Sequence, residues 1–131
     1  MILDEITGHL EAGGVSPVVW ELFDGAPDEC VAVYEYSGRP PLRVKAKRSA
    51  VAEYPRIQVR ARSKKAERAA ALARRAFELL DGFSGTLSGV RYDRISALQT
   101  PYRDPGGRDE AGRIAYLANY ELKRITNTEG G

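Results

Sequence analysis

Residues 54–62 alternate apolar with polar or basic side chains and run directly into an alanine-rich segment. Ile57, Val59 and Ala61 fall on one side of an extended chain, whereas Arg56, Gln58, Arg60 and Arg62 fall on the other. The alternation predicts a half-buried strand with one basic face. Such an arginine row (Arg56, Arg60 and Arg62) calls for a partner: carboxylates on neighbouring strands, a phosphate backbone or another subunit. The function of the chain depends on which of these the row contacts.

The composition is that of a soluble globular protein. The chain has 131 residues, of which 43% are hydrophobic and 29% charged, so one domain spanning residues 1–131 with a sizeable core is expected. Twenty basic and eighteen acidic residues leave a net charge of +2, less than a dedicated nucleic-acid-binding domain of this size usually carries. No apolar run reaches the ~20 residues of a membrane span. Asp4 and Glu5 make the N-terminus unlike a signal peptide.

Histidine and cysteine each occur once, as His9 and Cys30. A single cysteine excludes an intramolecular disulfide and, with one histidine, an ordinary zinc site, which fits a reducing cytoplasm. We expect His9 to have a surface or capping role and Cys30 to be a small buried residue. Asp104, Asp109 and Glu110 lack the spacing of a calcium loop, and no phosphate-binding glycine motif is present. The sequence therefore predicts no catalytic residue, no metal site and no cofactor.

The remaining pattern predicts two helices and several strands. The helices cover residues 1–12 and 64–81, the second with Ser63 as its N-cap. The predicted strands cover residues 15–24, 30–36, 54–62, 86–90, 92–99 and 113–126. Residues 39–52 form a basic long loop or an extended hairpin arm, and residues 100–112 form a polar loop. This order predicts an α+β domain with a mixed, mostly antiparallel sheet packed against one long and one short helix.

The arginine row allows two functional interpretations. In the first, the chain is a nucleic-acid-binding module, in which the row and the basic loop at residues 43–48 contact phosphates while tyrosines stack on bases. In the second, the chain is a subunit of an assembly. Glu35 and Glu121, on the polar faces of strands that could adjoin the row, would then pair with its arginines. Tyrosine and arginine are enriched at subunit contacts, and head-to-tail contacts close into rings.

The assembly interpretation is favoured by the near-neutral charge and by the expected position of the tyrosines. Tyr34, Tyr36, Tyr116 and Tyr120 occur where the strand pattern is apolar, which predicts core or interface packing for them. The candidate interface residues are charged or aromatic side chains of the loops and of the central strand: Arg39, Arg43, Lys45, Lys47, Arg48, Arg56, Arg60, Arg62, Tyr102, Arg103, Arg108 and Asp109.

Four stretches, in order, span nearly the whole chain. They are residues 1–6, residues 30–38 with the prolines that follow, residues 54–60, and residues 108–113 leading to Asn119-Tyr120-Glu121. Together they resemble the tail terminator or minor capsid (tail completion) proteins of long-tailed bacteriophages. The resemblance implies an α+β fold and a homohexameric ring, with no enzymatic activity and no cofactor.

The resemblance also implies a place and partners for this ring. It would cap the tail tube, end its polymerisation and join the tail to the head–tail connector or stopper protein, in the neck region of a virion assembled in the host cytoplasm. Genome DNA would pass through the ring without specific binding, and no membrane would be involved. A strongly basic lumen would hold DNA rather than let it slide. We therefore expect Arg56, Arg60 and Arg62 to be paired within or between subunits rather than to line the channel.

Overall fold

The computed structural model describes residues 1–43 and 50–127, which form an α+β fold with one mixed sheet and two helices. The elements are α1 (Ile2–Ala12), β1 (Val18–Trp20), β2 (Cys30–Arg43), β3 (Ala50–Ser63), α2 (Ala66–Leu80), β4 (Gly85–Leu87), β5 (Val90–Ala97), β6 (Tyr102–Arg103) and β7 (Ile114–Asn127). The strand order is β1-β2-β3-β7-β5-β4, and β6 pairs with β7. β1 is parallel to β2, and the other described pairs are antiparallel. The predicted α+β class and mostly antiparallel sheet are confirmed.

Both helices pack on the face of the sheet that carries the apolar half of the β3 alternation. We call this face the helix face and the opposite one the open face. The core on the helix face includes Leu3, Ile6 and Leu10 from α1, Ala73, Ala76 and Leu80 from α2, and Val31, Val33, Ile57, Val59, Tyr120 and Leu122 from the strands. The helix contributions recur every three or four residues, as an amphipathic helix requires. Neither helix of the described chain is long and apolar enough to span a membrane.

The helices differ from the prediction in their bounds. α2 has 15 residues and α1 has 11, so the expected contrast between one long and one short helix is not confirmed. Ser63 is the last residue of β3 and does not cap α2, whose N-cap is Lys65. The Ser63 hydroxyl donates to Glu29 Oε1 at 2.9 Å and accepts from the Lys65 amide at 3.1 Å. Its side chain therefore stabilises the turn before the helix rather than the first helical turn.

The first predicted strand and the loop before the last strand also differ from the prediction. The strand expected at residues 15–24 shrinks to Val18–Trp20, because the chain turns at Glu21, whose φ is 61°. The loop expected at residues 100–112 contains the two-residue strand β6, which extends the sheet beside β7. These short pairings are set by contacts with distant strands, which local sequence patterns do not reveal.

Residues 39–52 follow the hairpin-arm alternative rather than the loop alternative. β2 continues to Arg43 and β3 already begins at Ala50, whereas residues 44–49 lie outside the described residues. We call residues 37–43 of β2 together with residues 50–53 of β3 the arm. β7 supports the arm on its other side, since Ala50 pairs with Asn127.

The β2–β3 register shifts where the arm starts, between Tyr36 and Arg39, and Gly38 lies in this bulge. A Cβ atom added to Gly38 would lie 1.5 Å from the carbonyl oxygen of Tyr54, which no real contact allows. Glycine is therefore required for the close backbone approach at this bulge.

Candidate assembly interface

The open face carries the arginine row, and the strand register sets the neighbours of each arginine. Four rows cross β2, β3 and β7: Tyr36, Arg56 and Glu121; Tyr34, Gln58 and Asn119; Ala32, Arg60 and Leu117; Cys30, Arg62 and Ala115. Exposure falls along these rows, from 39% at Tyr36 to 8% at Arg62 and 0% at Cys30. The turn at residues 26–27 and the loop at 104–113 contact the far end, so the first row is the accessible part of the face.

Two arginines share one carboxylate at the accessible end. Arg56 donates to Glu121 Oε2 from Nε at 3.3 Å and from Nη2 at 3.2 Å, while Arg39 Nη2 donates to Oε1 at 2.8 Å. The predicted Arg–Glu121 pairing is thus confirmed. The same prediction for Glu35 is wrong, because Glu35 lies opposite Ile57 and therefore on the other face. Two cations against one anion leave the accessible end with an unbalanced positive charge.

The other two arginines of the row are also paired within the chain. Arg60 forms an ion pair with Asp104. Hydrogen bonds from the Gly106 amide and from Arg60 lower the pKa of the Asp104 carboxyl. Arg62 Nη2 donates to the carbonyl oxygens of Ala26 at 3.1 Å and Pro27 at 2.8 Å. The expectation that the row is paired is confirmed. Because these guanidinium groups already bind groups of their own chain, the main support for the nucleic-acid interpretation is lost. Their position relative to a ring lumen remains a prediction.

The four tyrosines expected in the core or in an interface are divided between the two faces of the sheet. Tyr116 and Tyr120 lie on the helix face, in or beside the core, whereas Tyr34 and Tyr36 stand beside Gln58 and Arg56 on the open face. Core packing is therefore confirmed for the two tyrosines of β7, and interface packing stays a prediction for the two of β2. The sequence alternation does not separate these outcomes, because β2 has apolar residues on both faces.

The Tyr36 hydroxyl donates to Asn119 Oδ1 at 3.2 Å. Partial burial raises its pKa, an effect that Arg56 opposes and that nearby Tyr102 reinforces. Tyr102 itself is 42% exposed. Tyr36, Arg39, Arg56 and Tyr102 thus form one accessible surface, which we call the basic tyrosine patch.

Arg108 and Asp109 close the 104–113 loop, and their predicted place in an interface stays a prediction. Arg108 Nη1 donates to the carbonyl oxygens of Lys64 at 3.1 Å and Gly112 at 2.7 Å. Asp109 accepts from the Arg113 amide at 2.9 Å and from Arg113 Nε at 2.8 Å, and these hydrogen bonds lower the pKa of its carboxyl. Both residues therefore have a structural role within the chain.

The remaining candidates are dispersed. Arg103 lies opposite Tyr116 and is exposed, on the other side of β6 from Tyr102. Arg43 ends β2, where its backbone pairs with Val51. Lys45, Lys47 and Arg48 lie outside the described residues.

A cleft of about 230 Å³ lies between the arginine row and the 104–113 loop. Its charged lining residues are already paired within the chain: Arg60 with Asp104, Arg62 and Arg108 with carbonyl oxygens, and Arg113 with Asp28 and Asp109. Within the described ranges, no group of three or more carboxylate, histidine or cysteine side chains could hold a metal ion. The cleft therefore offers neither a free charge for a ligand nor a metal site.

His9 and Cys30 are placed as predicted. His9 Nε2 donates to the carbonyl oxygen of Leu79 at 2.8 Å, in the last turn of α2, so it has a capping role. Cys30 is a free thiol with 0% exposure.

A buried ionic cluster around Glu5 was not predicted from the sequence. Glu5 is 2% exposed and accepts hydrogen bonds from Tyr92 at 2.6 Å and from two nitrogens of Arg124 at 3.0 Å. Burial alone would raise the pKa of Glu5, but the hydrogen bonds from Arg124 and Tyr92 outweigh it and lower the pKa to about 2. Arg124 also donates to Glu53 at the base of the arm. Its position two residues after Leu122, in the apolar alternation of β7, was the available signal.

Exposed tyrosines and arginines on a helix-free sheet face, next to a projecting arm, are typical of a protein that contacts other proteins. A family model described as bacteriophage tail terminator protein matches residues 9–125. The match covers most of the chain, so the chain belongs to the bacteriophage tail terminator family, as the sequence resemblance indicated. This membership supports a structural role in the virion tail.

A chain in a solved structure, described as the virion of a native gene transfer agent particle, shares this fold. It is 14% identical, the alignment covers 95% of each chain, and the TM-score is 0.64. No curated protein matches this sequence.

Proposed function

We propose that this chain acts as one domain that forms the terminator ring of a phage tail. The ring caps the tail tube, ends its polymerisation and joins the tail to the head connector or stopper protein in the neck of the virion. The observation that carries the proposal is the family match over residues 9–125. A hexameric ring assembled in the host cytoplasm agrees with the resemblance of the four ordered stretches.

The geometry supports a structural rather than a catalytic role. In the described chain, the charged groups of the cleft between the arginine row and the 104–113 loop are paired with one another or with backbone carbonyls. The accessible features are instead the basic tyrosine patch and the arm, which are suited to contacts with neighbouring subunits and with tube or connector proteins. Internal pairing of the arginine row would let genome DNA pass through the ring without specific binding.

Electron microscopy of particles made without this protein tests the proposal. A phage with an early stop codon in this reading frame should give abnormally long tubes, or tails that fail to join heads. Supplying the intact chain from a plasmid should restore tail length and joining. A synonymous codon change at the same position is the matched control. Normal virions from the stop-codon phage would contradict the proposed function.

A further inference from the structure

Residues 20–24 form a second accessible surface, of opposite charge to the basic tyrosine patch. Phe23 is 58% exposed, and both Glu21 and Asp24 are exposed acidic side chains. Trp20 is 44% exposed, but it lies opposite Val33 on the helix face and its Nε1 donates to Thr7 Oγ1 of α1 at 3.0 Å. Within the described chain neither carboxylate has a hydrogen bond or an ion pair. Large exposed aromatic groups beside unpaired charges are typical of a protein–protein contact. We call residues 20–24 the acidic aromatic segment.

The backbone holds this segment in place at the β1 edge of the sheet. The Glu21 amide donates to the Val33 carbonyl at 3.1 Å, and the Leu22 amide donates to the Tyr34 hydroxyl at 3.1 Å. Glu21 has a φ of 61°, a conformation that a residue with a side chain adopts only where the surroundings impose it. These contacts therefore fix the segment at the β1 edge, and it does not cover the basic tyrosine patch of its own chain.

The two surfaces are complementary in charge and in chemistry. Arg39 and Arg56 share the single carboxylate of Glu121, which leaves positive charge in excess. The acidic aromatic segment supplies unpaired negative charge together with aromatic surface, and the patch supplies two exposed tyrosines. Because the two surfaces are different parts of the chain, a contact between them in two copies is heterologous. Repeated contacts of this kind form a ring where the rotation between successive subunits closes, and an open filament where it does not.

We propose that the acidic aromatic segment of one subunit docks on the basic tyrosine patch of the next copy of this chain. The inference rests on the proposed ring and names the two surfaces that would form its subunit contact. Glu21 and Asp24 face Arg39 and Arg56 across the contact, and Phe23 packs against Tyr36 and Tyr102.

Charge reversal tests this contact in the full chain. Variant A carries Glu21→Lys and Asp24→Lys, and variant B carries Arg39→Glu, at a side chain that is 57% exposed. The matched controls are Glu11→Lys, near the C-terminus of α1, and Lys65→Glu, at the N-terminus of α2, where each new charge suits the helix dipole. Circular dichroism checks that each variant folds, and sedimentation velocity measures its mass at equal concentration.

The wild-type chain and both controls should self-associate alike, whereas A and B alone should associate about tenfold more weakly or not at all. An equal mixture of A and B should regain the wild-type ring mass, because alternating subunits restore complementary charges at every contact. High salt should weaken the wild-type association. Recovery only to a dimer would show a two-fold contact and overturn the head-to-tail arrangement.

Three further results would also overturn the inference. They are wild-type association in both A and B, failure of their mixture to recover, and a wild-type chain that stays monomeric at its highest soluble concentration. The tail-length experiment decides the proposed function independently. If tails lengthen without the protein and the charge reversals have no effect, the contact is wrong while the terminator role stands. If virions are normal without the protein, the role itself fails.

Discussion

Arg124 on β7 contacts Glu5 on α1, 119 positions earlier in the chain, through Nε and Nη2, each 3.0 Å from a carboxylate oxygen. The pair is bidentate and nearly buried, with Glu5 2% and Arg124 13% exposed at their side chains. Because Arg124 also binds Glu53, the cluster ties α1 to the sheet at the base of the arm. In the described chain, removing Arg124 leaves Glu5 with the Met1 ammonium as its cationic partner, and removing Glu5 leaves Arg124 with Glu53.

Arg124→Met should lower the free energy of unfolding by about 2 kcal/mol, since the buried Glu5 carboxylate loses two hydrogen bonds from Arg124 and keeps the Met1 ammonium, at 3.0 Å, as its one cationic partner in the described chain. Urea denaturation followed by circular dichroism measures the change. Arg103→Met is the control, because Arg103 is exposed and, in the described chain, forms no ion pair. A variant at Arg124 as stable as this control would show that the cluster does not stabilise the fold.

Stability should depend on pH through Glu5, whose pKa is lowered from 4.5 to about 2. Between these values the unfolded chain binds more protons than the folded chain, so this contribution is complete above about pH 4.5 and is lost as the pH falls towards 2. Glu5→Gln should remove up to about 1.4 kcal/mol per pH unit from the slope of stability against pH in this window. Denaturation at several pH values measures both slopes. The exposed Glu67→Gln should keep the wild-type slope, and parallel profiles for Glu5→Gln and wild type would refute the assignment.

Gly38→Ala should disrupt the start of the arm, because a Cβ atom there meets the Tyr54 carbonyl oxygen at 1.5 Å. We expect faster amide exchange along residues 37–43 and 50–53, measured by hydrogen–deuterium exchange with mass spectrometry. Gly8→Ala is the matched control: it lies in α1 with nothing within 4 Å of the added atom. The control should be neutral or stabilising by up to about 1 kcal/mol. Unchanged exchange in Gly38→Ala would mean that the bulge tolerates a side chain.

Arg62 and Arg56 lie on the same face of β3, but their replacement should lower the free energy of unfolding by different amounts. Arg62 is 8% exposed and donates three hydrogen bonds to the carbonyl oxygens of Ala26 and Pro27, whereas the Arg56 side chain is 36% exposed. Arg62→Met should cost about 2 kcal/mol or more, because it leaves buried carbonyl groups unpaired. Arg56→Met should cost about 1 kcal/mol or less, as for an exposed ion pair. Equal losses in thermal or urea denaturation would contradict this order.

The elements and the fold class were largely predictable because their signals are local. Alternation in residues 54–62 located β3, the three- and four-residue spacing of apolar side chains located α2, and both patterns indicated the buried sides correctly. The pairing of Arg56 with Glu121 was also predictable, since both lie on polar positions of long strands. The same reasoning predicted wrongly that Glu35 pairs with the arginine row, because alternation does not give the register that sets Glu35 opposite Ile57.

The sequence by itself determined the α+β class, the basic polar side of β3 and the phage tail resemblance, because periodicity and residue order carry that information. Only the tertiary structure decided which carboxylate meets which arginine. It alone revealed that Glu5 and Arg124 form a buried pair across 119 positions, and that Tyr36 joins Arg56 on the open face. These relationships depend on strand register and on long-range packing, and no local pattern specifies either, because both are settled only when distant segments of the chain come together.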